Sequence, residues 1–311
     1  MRVLTTAALL VALSLPAAPV AAQIPDCFGR EPTIVGTEGD DTLEGTRKAD
    51  VIQGLGGDDS INGFAGDDLL CGDSGDDGVI GLMGDDKLSG GLGNDDLRPG
   101  RDDDLLRGGD GRDRMLSDDG RDRFHGGPKS DLLTFEIRHS PVTIDLAKRS
   151  ATIDGVTFPV KDVERVFGTS GDDVILGSSR GEELTGALGD DRIEGRGGGD
   201  LIHGDPEYLT GGDDYLSGGP GGDIIAGDGG EGGGRDTIRG GDGPDTIHGD
   251  LLIDGTGHGA ADRIFGGDDH DDLYGEDGND RIDGGAGNDV ADGGAGNDTC
   301  KATEENTSCE R

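Results

Sequence analysis

The chain has 311 residues, 65 of them glycine, and carries 67 acidic against 27 basic side chains, a formal charge of −40 at neutral pH. Only 31% is hydrophobic and 3% aromatic, with no tryptophan, which falls short of the apolar share that ordinary globular cores need. A polyanion of this kind repels nucleic-acid phosphates and anionic membrane surfaces, so no nucleic acid is expected and cations are the natural partners.

The first element is an export signal. Arg2 precedes an apolar stretch from Val3 to Leu15, and Pro16 to Ala22 supplies small residues for cleavage after Ala22. The stretch is shorter than the ~20 apolar residues of a membrane span, so residues 1–22 read as a Sec-type signal peptide. The mature chain is expected to be secreted, with no membrane span. Four cysteines follow, Cys27, Cys71, Cys300 and Cys309. An even number in an exported chain points to disulfides, and of the three pairings we favour Cys27–Cys71 and Cys300–Cys309. A zinc site is disfavoured, because there is no C-x-x-C and no histidine lies beside either pair. Residues 23–35 are expected to cap the N-terminal end.

From Gly36 the sequence reads in nines without a gap to Thr134, as in GLGGDDSIN (54–62) and GFAGDDLLC (63–71). The eleven units carry aspartate at the sixth position, namely Asp41, Asp50, Asp59, Asp68, Asp77, Asp86, Asp95, Asp104, Asp113, Asp122 and Asp131, and an apolar residue at every eighth. Residues 135–167 break this register, with few glycines and more β-branched residues. Within them, Val142–Ala147 and Ala151–Phe158 read as a strand pair. The repeat resumes over 168–301 with thirteen units and three short insertions, at 204–208, 227–230 and 249–256. The sixth positions there are Asp173, Glu182, Asp191, Asp200, Asp214, Asp223, Asp236, Asp245, Asp262, Asp271, Asp280, Asp289 and Asp298. Residues 302–311 read as a C-terminal cap.

Units such as GGAGNDVAD (284–292) and GGAGNDTCK (293–301) resemble the GGxGxDxUx nonapeptide of RTX (haemolysin-type) calcium-binding proteins, where U is a large apolar residue. The lead-in with Cys27 is similar to small stand-alone members from actinobacteria. The resemblance implies an all-β fold, a right-handed parallel β-roll solenoid, as two arrays separated by a short β-hairpin spacer. It also implies multiple Ca²⁺ ions between stacked turns, held by the sixth-position aspartates and turn carbonyls.

The chemistry of the repeat agrees with that expectation. Six glycine-rich residues can make a tight turn, and three extended residues then place only the middle one inward. Two repeats make one coil, and coils stack at the ~4.8 Å spacing of paired strands. The aspartates then form a column on each edge, where like charges repel by nearly ~1 kcal/mol per pair even at the dielectric of water. One buried apolar residue per nine is too little to offset the ordering entropy and this repulsion. The metal-free array should therefore be close to disordered, and binding should be coupled to folding. Turns n and n + 2 make a site, so twenty sites is the ceiling. Each is expected to be weak, ~10⁻⁴–10⁻³ M, as in extracellular calcium modules. Lys48, Lys129 and Arg180 at fourth positions and Glu182 at a sixth depart from the pattern and count against the calcium sites near them, and Pro99 and Ser117 at first positions are expected to distort their turns.

Signals of catalysis are weak. Gly177-Ser178-Ser179-Arg180-Gly181 has the spacing of a nucleophile elbow but lies in repeat register, without the required strand–turn–helix context. The six histidines are scattered, and the longest non-repeat stretch is too short for a catalytic core of its own. We therefore expect no enzyme, but a secreted calcium-binding protein. The alternative is a calcium-rigidified structural or adhesive protein at the cell surface with a cell-wall or other extracellular partner.

Overall fold

A computed structural model describes residues 27–206, 211–229, 233–250, 259–303 and 305–310. The signal peptide expected at 1–22, the start of the N-terminal cap and parts of all three insertions lie outside these residues.

The architecture follows from the alternation within each nonapeptide. The described strands pair into two long sheets, one of 17 strands and one of 14, with a small two-stranded pairing besides. Odd units feed one sheet and even units the other, so two repeats make one coil. Inward residues stack directly: Ile52 lies opposite Leu70 and Leu70 opposite Leu88 in the first sheet. Ile61 lies opposite Val79 and Val79 opposite Leu97 in the second. All are fully buried and belong to one hydrophobic cluster running the length of the described chain. The result is a parallel β-solenoid of β-roll type. No helix among the described residues is long and apolar enough to cross a membrane.

Glycine is required for two different reasons, both visible in the unit 54–62. Gly57 adopts φ +103°, a left-handed conformation costly for residues with a Cβ. At Gly54 the obstacle is space, since a Cβ there would lie 2.1 Å from Asp59 Oδ2 and 2.6 Å from Gly72 O. Pro99, at a first position, is accommodated inside the strand Asp96–Arg101. Pairing with the preceding coil continues past it, at Leu82 opposite Gly100.

Residues 135–167 are built into the stack. Val142–Asp145 pairs antiparallel with Ser150–Ile153, as expected of a hairpin. The second expected strand, however, turns back at Asp154 and Gly155, both at positive φ (50° and 75°). Asp-Gly is a favoured pair for a two-residue hairpin turn, and it yields a third strand, Val156–Lys161, antiparallel to the second. That third strand joins Arg123–His125 of the coil before, and Val142–Asp145 joins Val174–Leu176 of the coil after. In the other sheet Leu132–Thr134 passes to Arg165–Phe167 and on to Glu183–Thr185. One face thus takes four strand steps where the other takes two, a difference of about 10 Å. Phe124, Phe135 and Phe158 are buried at this junction, with Phe124 and Phe158 edge-to-face at 5.9 Å. Buried Asp145 ties the hairpin to the following coils through Arg196 at 2.9 Å, and Lys148 of the hairpin's own loop meets it at 2.9 Å.

The ends are closed by backbone pairing and disulfides. Ile34–Val35 adds to Val51–Gly56 as a parallel edge strand. Cys27 is bonded to Cys71 across the outer face (Cα–Cα 5.8 Å), and Arg107 lies over the Phe28 ring at 5.3 Å. At the other end Glu305–Thr307 and Cys309–Glu310 continue the two sheets in parallel, with Cys300 bonded to Cys309.

Phe135→Ala should lower the stability of the calcium-loaded protein by about 3–5 kcal/mol, the usual cost of emptying a buried phenylalanine site. Phe64→Ala, at a 36% exposed turn position, should cost little. Denaturant unfolding in saturating calcium measures both, and an unchanged midpoint for Phe135→Ala would remove the junction from the core.

Candidate metal centre

Each turn delivers its sixth-position aspartate to the same place, because the strand that follows is locked in register by its buried eighth residue. On one edge the backbone N–H of Asp59 donates to Asp77 Oδ1 (2.8 Å), Asp77 to Asp95 (2.9 Å), Asp95 to Asp113 (3.0 Å) and Asp113 to Asp131 (2.9 Å). On the other edge Asp50 donates to Asp68, Asp68 to Asp86, Asp86 to Asp104 and Asp104 to Asp122. The second half behaves alike, from Asp173 through Asp191, Asp214, Asp236, Asp262 and Asp280 to Asp298. Its opposite edge runs from Glu182 through Asp200, Asp223, Asp245 and Asp271 to Asp289. The insertions leave this ladder intact, lengthening the separation from 18 residues to 23, 22 and 26.

One oxygen of each accepting carboxylate in these ladders is therefore held by the neighbouring coil. The other points into its own turn, and there the sites divide into two kinds. Among the sixth-position residues from Asp59 to Asp131, and for Asp191, Asp200, Asp214, Asp223, Asp236, Asp245, Asp262, Asp271, Asp280 and Asp298, Oδ2 is buried and has no hydrogen-bond partner. In four turns the second residue carries a hydroxyl that takes the carboxylate instead. Thr37 serves Asp41, Thr46 serves Asp50, Thr169 serves Asp173 and Ser178 serves Glu182. Asp41, Asp50 and Asp173, expected as calcium ligands, thus have hydroxyl and N–H partners within their own turns. These four turns open the two runs of repeats.

An unpartnered buried carboxylate oxygen is costly, and its effect on proton affinity is plain. Burial is the main cause, opposed by the N–H from the preceding coil and reinforced by neighbouring carboxylates. It pushes Asp68 from the ordinary 3.8 to about 6, Asp86 to about 7 and Asp104 to about 9. The groups must hold either protons or a cation. The donors nearby are hard oxygens: the free Oδ2 and the carbonyl of the first glycine one coil on both crowd the Cα of the turn's own first glycine, as Asp59 Oδ2 and Gly72 O do at Gly54. An oxygen-only set of this kind suits Ca²⁺ and does not suit zinc.

The sequence compares with known proteins in agreement with this geometry. A family model described as the RTX calcium-binding nonapeptide repeat (4 copies) matches overlapping segments from 33–47 to 98–133, then 162–179, 176–206, 208–231, 232–251, 256–281 and 265–300. The chain belongs to the RTX calcium-binding nonapeptide repeat family. It is a calcium-binding β-roll protein, and Ca²⁺ is its cofactor. No curated protein matches the chain.

Four acids of this RTX roll escaped the sequence reading. Glu164 accepts the N–H of Asp131 (3.3 Å) and so occupies a sixth position within 135–167. Its signal is an acid two residues before inward Val166, hidden because the usual glycines are missing. Asp205, Asp228 and Asp250 are buried although they fall in insertions. A Cβ on Gly204, Gly227 or Gly249 would meet the carboxylate of Asp214, Asp236 or Asp262. These glycines are therefore true first positions, and the extra residues fall in the sequence between them and the sixth-position aspartates. The recurring Gly-Asp after inward Ile202, Ile225 and Ile247 was the legible sign. The elbow-like segment 177–181 lies in the turn between Val174–Leu176 and Glu183–Thr185, where Ser178, the residue before the elbow-position Ser179, bonds Glu182 through its Oγ.

The raised proton affinities fix the sign of the pH response. Between about pH 4 and about pH 9 the folded metal-free state binds more protons than the unfolded chain, so its stability is greatest at the acid end and falls as pH rises. In chelator, acidifying dilute protein from pH 8 to pH 4 should raise the strand signal in circular dichroism. A signal that instead fell on acidification would contradict the burial of these carboxyls.

Proposed function

We propose that the protein is exported and that its roll folds when it meets extracellular calcium. The observation that carries this reading is the column of buried, unpartnered carboxylate oxygens. Without counter-charge such a column opposes folding, and with Ca²⁺ between the turns it cross-links neighbouring coils, so binding and folding become one event. Weak sites would stay empty at cytosolic calcium and fill outside the cell, so the chain could cross the membrane unfolded. The basic, apolar and small-residue organisation of residues 1–22 supports export by the Sec route.

The reading is also non-catalytic. Residues 135–167, the longest stretch outside the regular repeats, spend their apolar side chains on the roll itself, with Phe135, Val142, Ile144 and Phe158 in its core. The ions are structural, and their number is set by the turns whose oxygen is unpartnered. The four hydroxyl-capped turns leave fewer sites than the ceiling of twenty.

Circular dichroism should show coil in chelator at neutral pH and strand in millimolar Ca²⁺, with Mg²⁺ much less effective. Identical spectra in calcium and chelator would sink the coupling. Asp223→Ala with Asp245→Ala removes two rungs joined at 2.8 Å and should raise the calcium midpoint severalfold, read from the same titration.

A further inference from the structure

The three lengthened turns follow strands of the same sheet, Leu201–Asp205, Ile224–Asp228 and Thr246–Asp250. They therefore fall on one edge of three successive coils. Their second-position residues are paired in register, Asp205 opposite Asp228 and Asp228 opposite Asp250. In regular turns the second position is left-handed and faces outward, as at Leu55 (φ 83°) and Asp73 (φ 75°), and Asp73 there meets the Gln53 side chain. The lengthened turn removes that constraint. Asp205 and Asp228 do not have positive φ, and each is only 1% exposed.

Here the extra carboxylates meet the regular column. Asp205 Oδ2 accepts the N–H of Gly212 (2.8 Å), Asp228 Oδ2 that of Gly234, and Asp214 Oδ1 that of Asp191 (2.8 Å). Each carboxylate is thereby anchored by one oxygen, and Asp205 Oδ1, Asp228 Oδ1 and Asp214 Oδ2 are left buried without a partner. Carboxylate oxygens of the three come within 4.8 Å of one another, and this is the one such group of three among the described residues. Two oxygens bound to one Ca²⁺ at ~2.4 Å can be no more than ~4.8 Å apart, so the separation fits one ion. The arrangement depends on Gly211, where a Cβ would lie 2.1 Å from Asp228 Oδ1.

We propose that Asp205, Asp214 and Asp228 form a separate, tighter class of Ca²⁺ site, filled before the regular turns. Three negative charges face one divalent ion there, and calcium affinity rises with ligand charge and rigidity. The first ion should bind about 10–100-fold more tightly than the rest. The inference rests on the calcium-binding reading of the regular turns, and the experiment separates the two.

Calorimetric titration of the purified full chain with CaCl₂ should resolve a tight class of one ion ahead of a weak, larger class. Asp205→Asn with Asp228→Asn should abolish the tight class and keep the weak one. Asp223→Asn with Asp245→Asn, on the opposite edge, should diminish the weak class and keep the tight one. Asparagine is isosteric and relieves buried charge, so both variants should reach the wild-type strand signal in saturating calcium. If the first fails to, D205N alone is read in the same way. A single class in the wild type, a tight class that survives D205N/D228N, or one that also vanishes in D223N/D245N overturns the proposal and leaves the general reading standing. Absence of any calcium heat overturns both.

Discussion

The structure turns on how an aspartate is shared between two coils. One carboxylate oxygen is fixed by the backbone N–H of the coil before, and the other is driven into a dry turn of its own. The first contact aligns the columns, and the second makes them untenable without a positive charge. Glycine serves this arrangement twice: it permits the left-handed turn, and it leaves room for the carboxylate. The apolar eighth residues, fully buried but one per nine, keep register more than they supply stability. On the proposed reading the cation is part of the architecture, and proton and calcium compete for the same oxygens.

Much of this was legible in the sequence, because a nine-residue period with one acid and one apolar residue has a single geometric meaning. The sixth positions from Asp59 to Asp131 all fall on the two columns. What escaped is equally physical. Asp41, Asp50 and Asp173 look identical to their neighbours in the pattern, and a hydroxyl four residues earlier decides their environment. Glu164 was hidden by its lack of glycines. Asp205 and Asp228 were hidden by a register in which insertions count as loops, whereas the chain uses the extra length to turn a side chain inward.

Residues 135–167 show how the roll absorbs a large interruption. The hairpin adds its strands to one sheet while the other continues from Leu132–Thr134 to Arg165–Phe167. The widened interior is filled by Phe124, Phe135 and Phe158. Asp145 is the polar tie at this junction. Burial alone would raise its proton affinity, but hydrogen bonds from Arg196 and Lys148 outweigh that and hold it well below the usual carboxylate range. The core is continuous through this region, and the two runs of repeats share one stack.

The placement of the hydroxyl-capped turns gives the stack a polarity. Thr37, Thr46, Thr169 and Ser178 stand at the N-terminal start of each run, where a nascent strand has no earlier regular coil to lean on. Such turns close with their own side chains, and under the proposed calcium-coupled folding they would offer a ready template edge onto which later coils add one after another. A chain delivered N-terminus first would thus present its self-sufficient seed before its dependent rungs, and growth would proceed from start to tail like a zipper with its slider already seated.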